Sequence, residues 1–271
     1  MSEAPTKSPR APSSNLPAAA AQASHAAVKT AIATSNDNDD VTVLSDPKNF
    51  NVKHPLYSPW TLWFDSASKQ DKAKSWEEAL SKVISFQSVE EFWGLYNNII
   101  APSHLSPNSN YYLFKEGVKP AWEDEANAKG GKWSVQLPRG KYAGDIDTFW
   151  LYTMLAAIGE TFETPFSDPS ASESNSLEPT PLPPTFSNEI TGVILSSRKA
   201  FFRINIWTRT SNPGDQQRIE NIGKHFKYGV LGFDKGGLNL SEKDKVSSDV
   251  EFVSHKDSQA KYGTKVNKWT V

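Results

Sequence analysis

The stretch Phe201-Phe202-Arg203-Ile204-Asn205-Ile206-Trp207 decides the fold class, because apolar and polar side chains alternate along it. A period of two predicts a β-strand that presents one set of side chains to each face of a sheet. The apolar set, which we expect to join the core, is Phe202, Ile204 and Ile206. The other set combines a cation, an amide and an indole, the makeup of a polar ligand groove: Arg203, Asn205 and Trp207. Taken alone, this strand favours the alternative that the second face is solvated and bears one exposed indole.

Several other stretches are short and rich in aromatic or β-branched residues, as strands are. They are residues 60–64, 80–86, 111–114, 133–137, 192–195 and 250–254. Three segments show helical spacing instead: one follows a capping box that begins at Ser88, and the other two begin at Asp145 and Asp215. Strands outnumber helices and do not alternate with them as βαβ units. The sequence therefore predicts an α+β fold, an antiparallel sheet with helices on one face.

The composition is that of a soluble globular protein, with 37% hydrophobic residues and a formal net charge of -2. Such a chain is poorly suited to coating long nucleic acid, so any nucleic acid should bind at a small, shaped pocket. No apolar run is long enough to span a bilayer and the N-terminus lacks a signal-peptide core, so we expect an intracellular protein without membrane contact.

Neither a metal site nor catalysis is expected. The chain has no cysteine, its five histidines are scattered, and no nucleophile–base pair recurs at close spacing. We expect no cofactor.

Two segments are too poor in apolar residues to offset the entropy of ordering them. Residues 1–50 are rich in alanine, proline and serine, and we expect a disordered N-terminal tail. Residues 167–188 are rich in serine and proline, which predicts a mobile insertion. The folded domain should therefore span residues 51–271.

Nine tryptophans are more than one core of this size needs. Trp76 follows a charged run, and Trp122 lies between Lys119-Pro120 and Glu123-Asp124-Glu125, so we expect a surface that stacks a flat ligand. A carboxylate beside an exposed indole accepts two donors from one planar edge, such as that of guanine. The alternatives are that Trp76 packs over a sheet end and that residues 123–125 form an acidic loop that only keeps the segment soluble. Arg198, in a turn near the groove, and Arg203 can together hold phosphate oxygens.

Motifs along the chain resemble the eukaryotic messenger-RNA cap-binding translation initiation factor family, commonly called initiation factor four-E. The matching stretches begin at His54-Pro55-Leu56, continue through Val89-Glu90-Glu91-Phe92-Trp93 and Pro120-Ala121-Trp122-Glu123, and end with Ile206-Trp207-Thr208. The resemblance implies a curved antiparallel sheet of about eight strands, backed by about three helices, with a cap-binding cleft on the concave side.

The resemblance also implies roles for individual residues. Trp76 and Trp122 match the indoles that sandwich 7-methylguanine, and Glu123 matches the carboxylate that binds its N1 and amine donors. Trp207 matches the indole that contacts the methyl group. The cations that face the phosphates match Lys132, Arg198 and Arg203, although the family usually has Arg at the first of these positions and Lys at the last.

A second surface lies on the helix after Ser88. Val89 and Trp93 are four residues apart, to one side of the buried stripe. Their pattern alone suits the rim of the core, whereas the resemblance implies a patch that docks a short helical motif. That motif belongs to the large scaffold initiation factor and to competing repressors. Further members of this patch are His54, Pro55 and Leu151, with Tyr152 where the family commonly carries an acidic residue.

We therefore expect a protein that binds the 7-methylguanosine cap of messenger RNA and recruits the RNA to the translation machinery. It should act as a monomer in the cytoplasm, with the nucleus open as a second location. A translational repressor homologue is the alternative within the family, and Trp rather than another aromatic at position 76 argues against it. A cap or nucleotide hydrolase is the alternative outside it, and would need a carboxylate cluster for a divalent metal.

Overall fold

A computed structural model describes residues 53–67, 75–166, 188–232, 250–258 and 268–271. The expected tail at residues 1–50 lies outside the described residues, as does the expected insertion except for Asn188. From His54 onward the described residues belong to one unit, His54–Val271.

Eight strands form one antiparallel sheet in the order β2-β1-β3-β5-β6-β4-β7-β8. Their bounds are β1 Pro55–Asp65, β2 Ser81–Ser88, β3 Ser109–Lys115, β4 Gly131–Pro138, β5 Ile190–Ser197, β6 Phe201–Thr208, β7 Glu251–Ser254 and β8 Lys268–Thr270. The α+β prediction and the expected number of strands are confirmed. Strand β8 had no counterpart among the stretches picked from the sequence, because three residues are too few to show a period of two.

The three longer helices begin where the sequence predicts. They are α2 Val89–Tyr96, α4 Ile146–Ile158 and α5 Gln216–Lys224, the last continuing into a π-helical turn, His225–Val230. Three helices of four residues each are additional: α1 Trp76–Ala79, α3 Arg139–Tyr142 and α6 His255–Ser258. The Ser88 side chain accepts from the Glu91 amide at 3.2 Å, so Ser88 caps α2. The Glu91 carboxylate also accepts from the Gln87 amide, at 2.9 Å.

The main core lies between the sheet and the three longer helices. The β6 side chains Phe202, Ile204 and Ile206 are fully buried there, as predicted, together with residues of all three helices. Trp60, Trp133 and Trp150 are also fully buried. The Trp133 indole donates to the Ile219 carbonyl at 2.8 Å, which ties α5 to β4.

The opposite face of the sheet carries a smaller apolar cluster, which we call the open-face cluster. Its buried members are Tyr112, Phe114, Val118, Ile194 and Trp207, with Trp63, Leu80 and Ala126 partly buried against them. Among the described residues, none of the cluster belongs to α2, α4 or α5. The three longer helices therefore cover one face and leave the other to loops and short helices, which confirms the predicted layering.

Candidate functional site

Trp207 is a buried indole on the open face of the sheet. Its indole is 7% exposed and meets the Phe114 ring edge-on, with centroids 5.5 Å apart. The Phe114 ring lies over Gly192, where any Cβ would overlap it, so glycine is required for this packing. Asn205 is also 7% exposed. The alternative of a solvated second face with one exposed indole is therefore wrong, because the polar residues of this strand are largely covered.

Trp76 lies at the start of α1, in the connection from β1 to β2. Its indole meets the Tyr112 ring edge-on, with centroids 6.1 Å apart, and remains 39% exposed. Leu80, which ends α1, packs into the open-face cluster. The indole is thus anchored along one edge while much of its surface is open to a ligand.

Trp122 lies in the connection from β3 to β4, which is held rigid by side chains that flank it. The Asp124 carboxylate accepts from the Lys119 and Ala126 amides at 2.9 and 3.0 Å. The buried Asn127 amide donates to the Lys119 and Ala121 carbonyls at 2.9 and 2.8 Å. The loop is preorganised by these bonds, and Trp122 is presented with half of its surface exposed.

Glu123 is exposed beside Trp122. Of the acidic residues 123–125, only Asp124 is used to fold the loop, so the loop is more than a solubilising acidic run. Val118 and Ala126, on either side of Trp122, pack into the open-face cluster with Trp207. The structure therefore brings the segments that carry Trp76, Trp122, Glu123 and Trp207 to one face of the sheet.

Three cations lie on or beside the same face. Lys132 is paired with Trp207 across β4 and β6, and paired residues share a face in an antiparallel sheet. Arg203 lies two residues from Asn205 on that face of β6, and Arg198 occupies the turn between β5 and β6. The Arg198 guanidinium donates to Asn110 at 3.0 Å and to the Ser197 carbonyl at 2.9 Å.

These cations repel one another. Burial and the nearby Arg203 lower the pKa of Lys132, and burial and the nearby Arg198 lower the pKa of Arg203. Because the fold holds these mutually repelling cations close together, it favours the binding of an anion, which reduces the repulsion.

His255 is a member of this face that no pattern in the sequence marked. It begins α6, is 3% exposed, and its ring centroid lies 4.1 Å from that of Trp207. Burial, and then the Lys132 charge, lowers the pKa of His255 to about 4. The imidazole is therefore neutral at neutral pH. It lies 48 residues after Trp207 and in no recognisable motif, so only the fold brings the two rings together.

The predicted docking patch is assembled at the start of α2. The His54 carbonyl accepts from the Val89 amide at 2.9 Å, and the Glu90 carboxylate accepts from the His54 amide at 2.9 Å. Burial opposes the Glu90 charge, but hydrogen bonds from His54 outweigh it and lower its pKa. Pro55 pairs with Ser88 in the sheet. These bonds place His54 and Pro55 beside Val89.

Trp93, one turn further along α2, is 37% exposed and packs edge-on against Phe92 and Tyr96. Leu151 and Tyr152 lie on α4, half-buried and exposed respectively, and no direct bond joins them to α2 among the described residues. Tyr57 was missed as a candidate. It is exposed on β1, two residues after Pro55, where the register between β1 and β2 is irregular.

The described residues contain neither a cluster of metal ligands nor a membrane-spanning helix. Within those ranges, no group of three or more His, Asp or Glu side chains is arranged to hold a metal ion. The helices seen there are also too short or too polar to cross a bilayer.

Fold and site together define an α+β protein whose open sheet face presents exposed indoles, a carboxylate and clustered cations. The sequence profile of the family described as eukaryotic initiation factor 4E matches residues 55–270. The chain belongs to the eukaryotic initiation factor 4E family.

Individual relatives agree. The chain is 45% identical over 199 residues to eukaryotic translation initiation factor 4E of Saccharomyces cerevisiae, covering 73% of this chain and 81% of that protein. Among solved structures it is similar to Ascaris suum eIF4E-3 in complex with an m2,2,7G cap, with a TM-score of 0.61 and 33% identity over 80% of this chain and 97% of that one. It is also similar to Caenorhabditis elegans eIF4E-3 in complex with the 4E-binding protein Mextli and a cap analog, with a TM-score of 0.58 and 30% identity over 78% and 97% of the two chains.

Proposed function

We propose that this protein binds the 7-methylguanosine cap of messenger RNA on its open face and recruits the RNA to translation initiation. The observation that carries the proposal is the presentation of Trp76 and Trp122, both substantially exposed, on the face that also holds three clustered cations. The solved relatives that contain a cap or cap analog support it.

In this proposal the base is held between the Trp76 and Trp122 indoles. Methylation at N7 makes guanine cationic, so each indole face gains a cation–π attraction of roughly 1–2 kcal/mol when water is excluded. The Glu123 carboxylate accepts from N1–H and the exocyclic amine, and Trp207 contacts the methyl group. Selectivity for the methylated base comes from stacking, because an unmethylated guanine keeps its donor edge and its phosphates.

The phosphates are held by Lys132, Arg198 and Arg203. Their mutual repulsion is relieved when the triphosphate binds, and Arg198 is already oriented by Asn110. These contacts add affinity without distinguishing one base from another.

The helix side provides the second function. We infer that His54, Pro55, Val89, Trp93, Leu151 and Tyr152 form the surface that docks a helical motif of the scaffold initiation factor or of a competing repressor. The complex of a relative with the 4E-binding protein Mextli supports a partner surface in this family. An amphipathic helix places apolar side chains every three to four residues, which suits the exposed Val89 and Trp93.

We propose that the protein acts by binding alone, because stacking rings, an acceptor and cations are groups that hold a ligand. It would work as a monomer in the cytoplasm, with the nucleus as a second location. Recovery of intact 7-methyl-GTP after incubation with the protein and Mg²⁺ would support the absence of catalysis, and release of 7-methyl-GDP would contradict it.

Titration of the full chain with 7-methyl-GTP and with GTP, followed by tryptophan fluorescence, tests the cap proposal. We expect a preference for the methylated nucleotide of about a hundredfold, from two cation–π faces. Trp122→Ala should abolish binding, whereas Trp93→Ala is the matched control, since it removes an exposed indole from the helix side. Equal affinity for the two nucleotides would overturn the proposal.

A further inference from the structure

Asp65, the last residue of β1, is a fully buried carboxylate with no part in the contacts proposed so far. Its Oδ1 accepts from the Asn110 amide at 2.5 Å, and its Oδ2 accepts from the Tyr112 hydroxyl at 3.0 Å. A buried carboxylate is costly unless it is hydrogen-bonded, and charge-assisted bonds of this kind are strong. Asn110 and Tyr112 are themselves buried.

Each of these two donors continues to a residue of the proposed cap site. The Asn110 carbonyl oxygen accepts from the Arg198 guanidinium at 3.0 Å. The Tyr112 ring meets the Trp76 indole edge-on at 6.1 Å, with planes 75° apart. One buried carboxylate is thus connected through one side chain to a phosphate-facing cation and through another to a stacking indole.

The hydrogen bond from Tyr112 to Asp65 fixes the orientation of the Tyr112 ring. The Tyr112 hydroxyl donates to Asp65 at 3.0 Å, and the same ring meets the Trp76 indole edge-on. Burial and then the Asp65 carboxylate raise the pKa of Tyr112, so the phenol stays protonated and keeps this donor.

Trp76 and Arg198, the residues at the two ends of this path, need to be held in position. Trp76 is 39% exposed at the start of a helix of four residues, and Arg198 is half-buried in a turn. Free rotation of either side chain would be lost on ligand binding, and holding the bound rotamer in advance reduces that cost.

We propose that Asp65 is a positioning residue for cap binding, which orients Trp76 through Tyr112 and Arg198 through Asn110. The inference rests on the proposed function, since it assigns a task to residues that support that site.

The connection to Trp76 and the connection to Arg198 predict different effects on the binding of ligands with and without phosphates. Tyr112→Phe removes the hydroxyl through which Asp65 holds the ring that packs against Trp76, so it should weaken 7-methyl-GTP and 7-methylguanosine alike, by about three- to tenfold. Asn110→Ala releases Arg198, so it should weaken 7-methyl-GTP by a similar factor and leave 7-methylguanosine, which has no phosphate, unchanged. Asp65→Asn should combine the two losses.

Double-mutant cycles on the full chain, read by fluorescence titration, provide the test, with thermal unfolding used to confirm that each variant is folded. If Tyr112 acts through Trp76, Tyr112→Phe should have no further effect in a Trp76→Ala background. Likewise, Asn110→Ala should have no further effect in an Arg198→Ala background. Equal losses in both backgrounds, or no loss in the parent chain, would overturn the positioning role. Should Trp76→Ala itself bind 7-methyl-GTP normally, the stacking assignment would fail, which is a separate result.

Discussion

The Trp207 indole and the His255 imidazole lie with their ring centroids 4.1 Å apart and their planes 50° from each other. The His255 amide donates to the Gly130 carbonyl at 2.9 Å, so the same residue ties the start of α6 to the end of the loop that carries Trp122. His255 therefore packs against Trp207 and connects α6 to the loop that carries Trp122. Its neutral state follows from burial and from the neighbouring Lys132 charge, which lower its pKa to about 4.

Acidification should destabilise the protein through His255. The unfolded histidine takes up a proton near pH 6.5 and the folded one near pH 4, so the unfolded state binds more protons in between. The stabilising contribution is complete above pH 6.5 and is lost as the pH falls towards 4, by about 3 kcal/mol in total. Urea unfolding at pH 7 and pH 5 should show a smaller pH dependence for His255→Leu than for the parent chain.

Glu189 provides the matched comparison for that measurement. Burial raises its pKa to about 6, so its contribution is greatest at low pH and is lost as the pH rises through 6. Glu189→Gln should therefore make the loss of stability on acidification steeper. A His255→Leu variant with the parent's pH dependence would contradict the assignment to His255.

Glu123→Gln should weaken 7-methyl-GTP binding by about a hundredfold, because the amide replaces one acceptor oxygen with a donor that opposes a donor of the base. Glu125→Gln is the control, since Glu125 is exposed in the same loop. Isothermal titration calorimetry of the two variants distinguishes a specific contact from a general effect of loop charge. Similar losses in both would favour the second explanation.

Arg203→Gln should weaken 7-methyl-GTP more than 7-methylguanosine, because its charge acts on the phosphates. The slope of log affinity against log salt concentration should fall by about one. Lys199→Gln, in the exposed turn next to Arg198, is the charge-matched control and should leave both quantities nearly unchanged. A uniform loss for both ligands would place Arg203 at the base instead of at the phosphates.

Trp93→Ala should weaken binding of a helical scaffold peptide by more than tenfold while cap affinity stays within twofold of the parent chain, as a large exposed anchor on the helix side is removed. Fluorescence anisotropy of a labelled peptide measures the first quantity, and 7-methyl-GTP titration the second. Trp122→Ala should show the reverse pattern. Loss of both activities in either variant would mean that the two surfaces are not independent.

Lys115→Met should destabilise the fold by about 3–5 kcal/mol, because it leaves the buried Glu160 carboxylate without its cation. The Lys115 ammonium lies 3.0 and 3.1 Å from the two Glu160 carboxylate oxygens, and both side chains are almost fully buried. Urea unfolding should show much of that loss recovered in a Lys115→Met, Glu160→Leu double variant. Lys119→Met, at an exposed position, is the control.

Strand β6 shows how far periodicity alone reaches. Residues 201–208 form the strand, and its apolar side chains enter the main core, because alternation specifies which residues share a face. Alternation does not say what covers the other face. Trp207 is buried because Phe114, from β3, lies over Gly192 of β5, and that contact joins the neighbouring strands β5 and β6 to a strand 78 residues earlier in the sequence.

In the proposed cap site, too, local features could be predicted from the sequence and contacts between distant residues could not. The Trp122-Glu123 pair is local and was visible as an indole in a charged loop. The Asp65 connections are not local, since Asn110 and Tyr112 lie 45 and 47 residues away. No spacing rule links them before the register of β1 and β3 is known.

Trp60, Trp133 and Trp150 lie in the interior on the helix side of the sheet. Their emission should be blue-shifted and insensitive to a nucleotide on the other side. A saturating cap analogue would therefore leave a residual fluorescence that serves as an internal standard for protein concentration. A drift in this residual fluorescence would report partial unfolding during the titration.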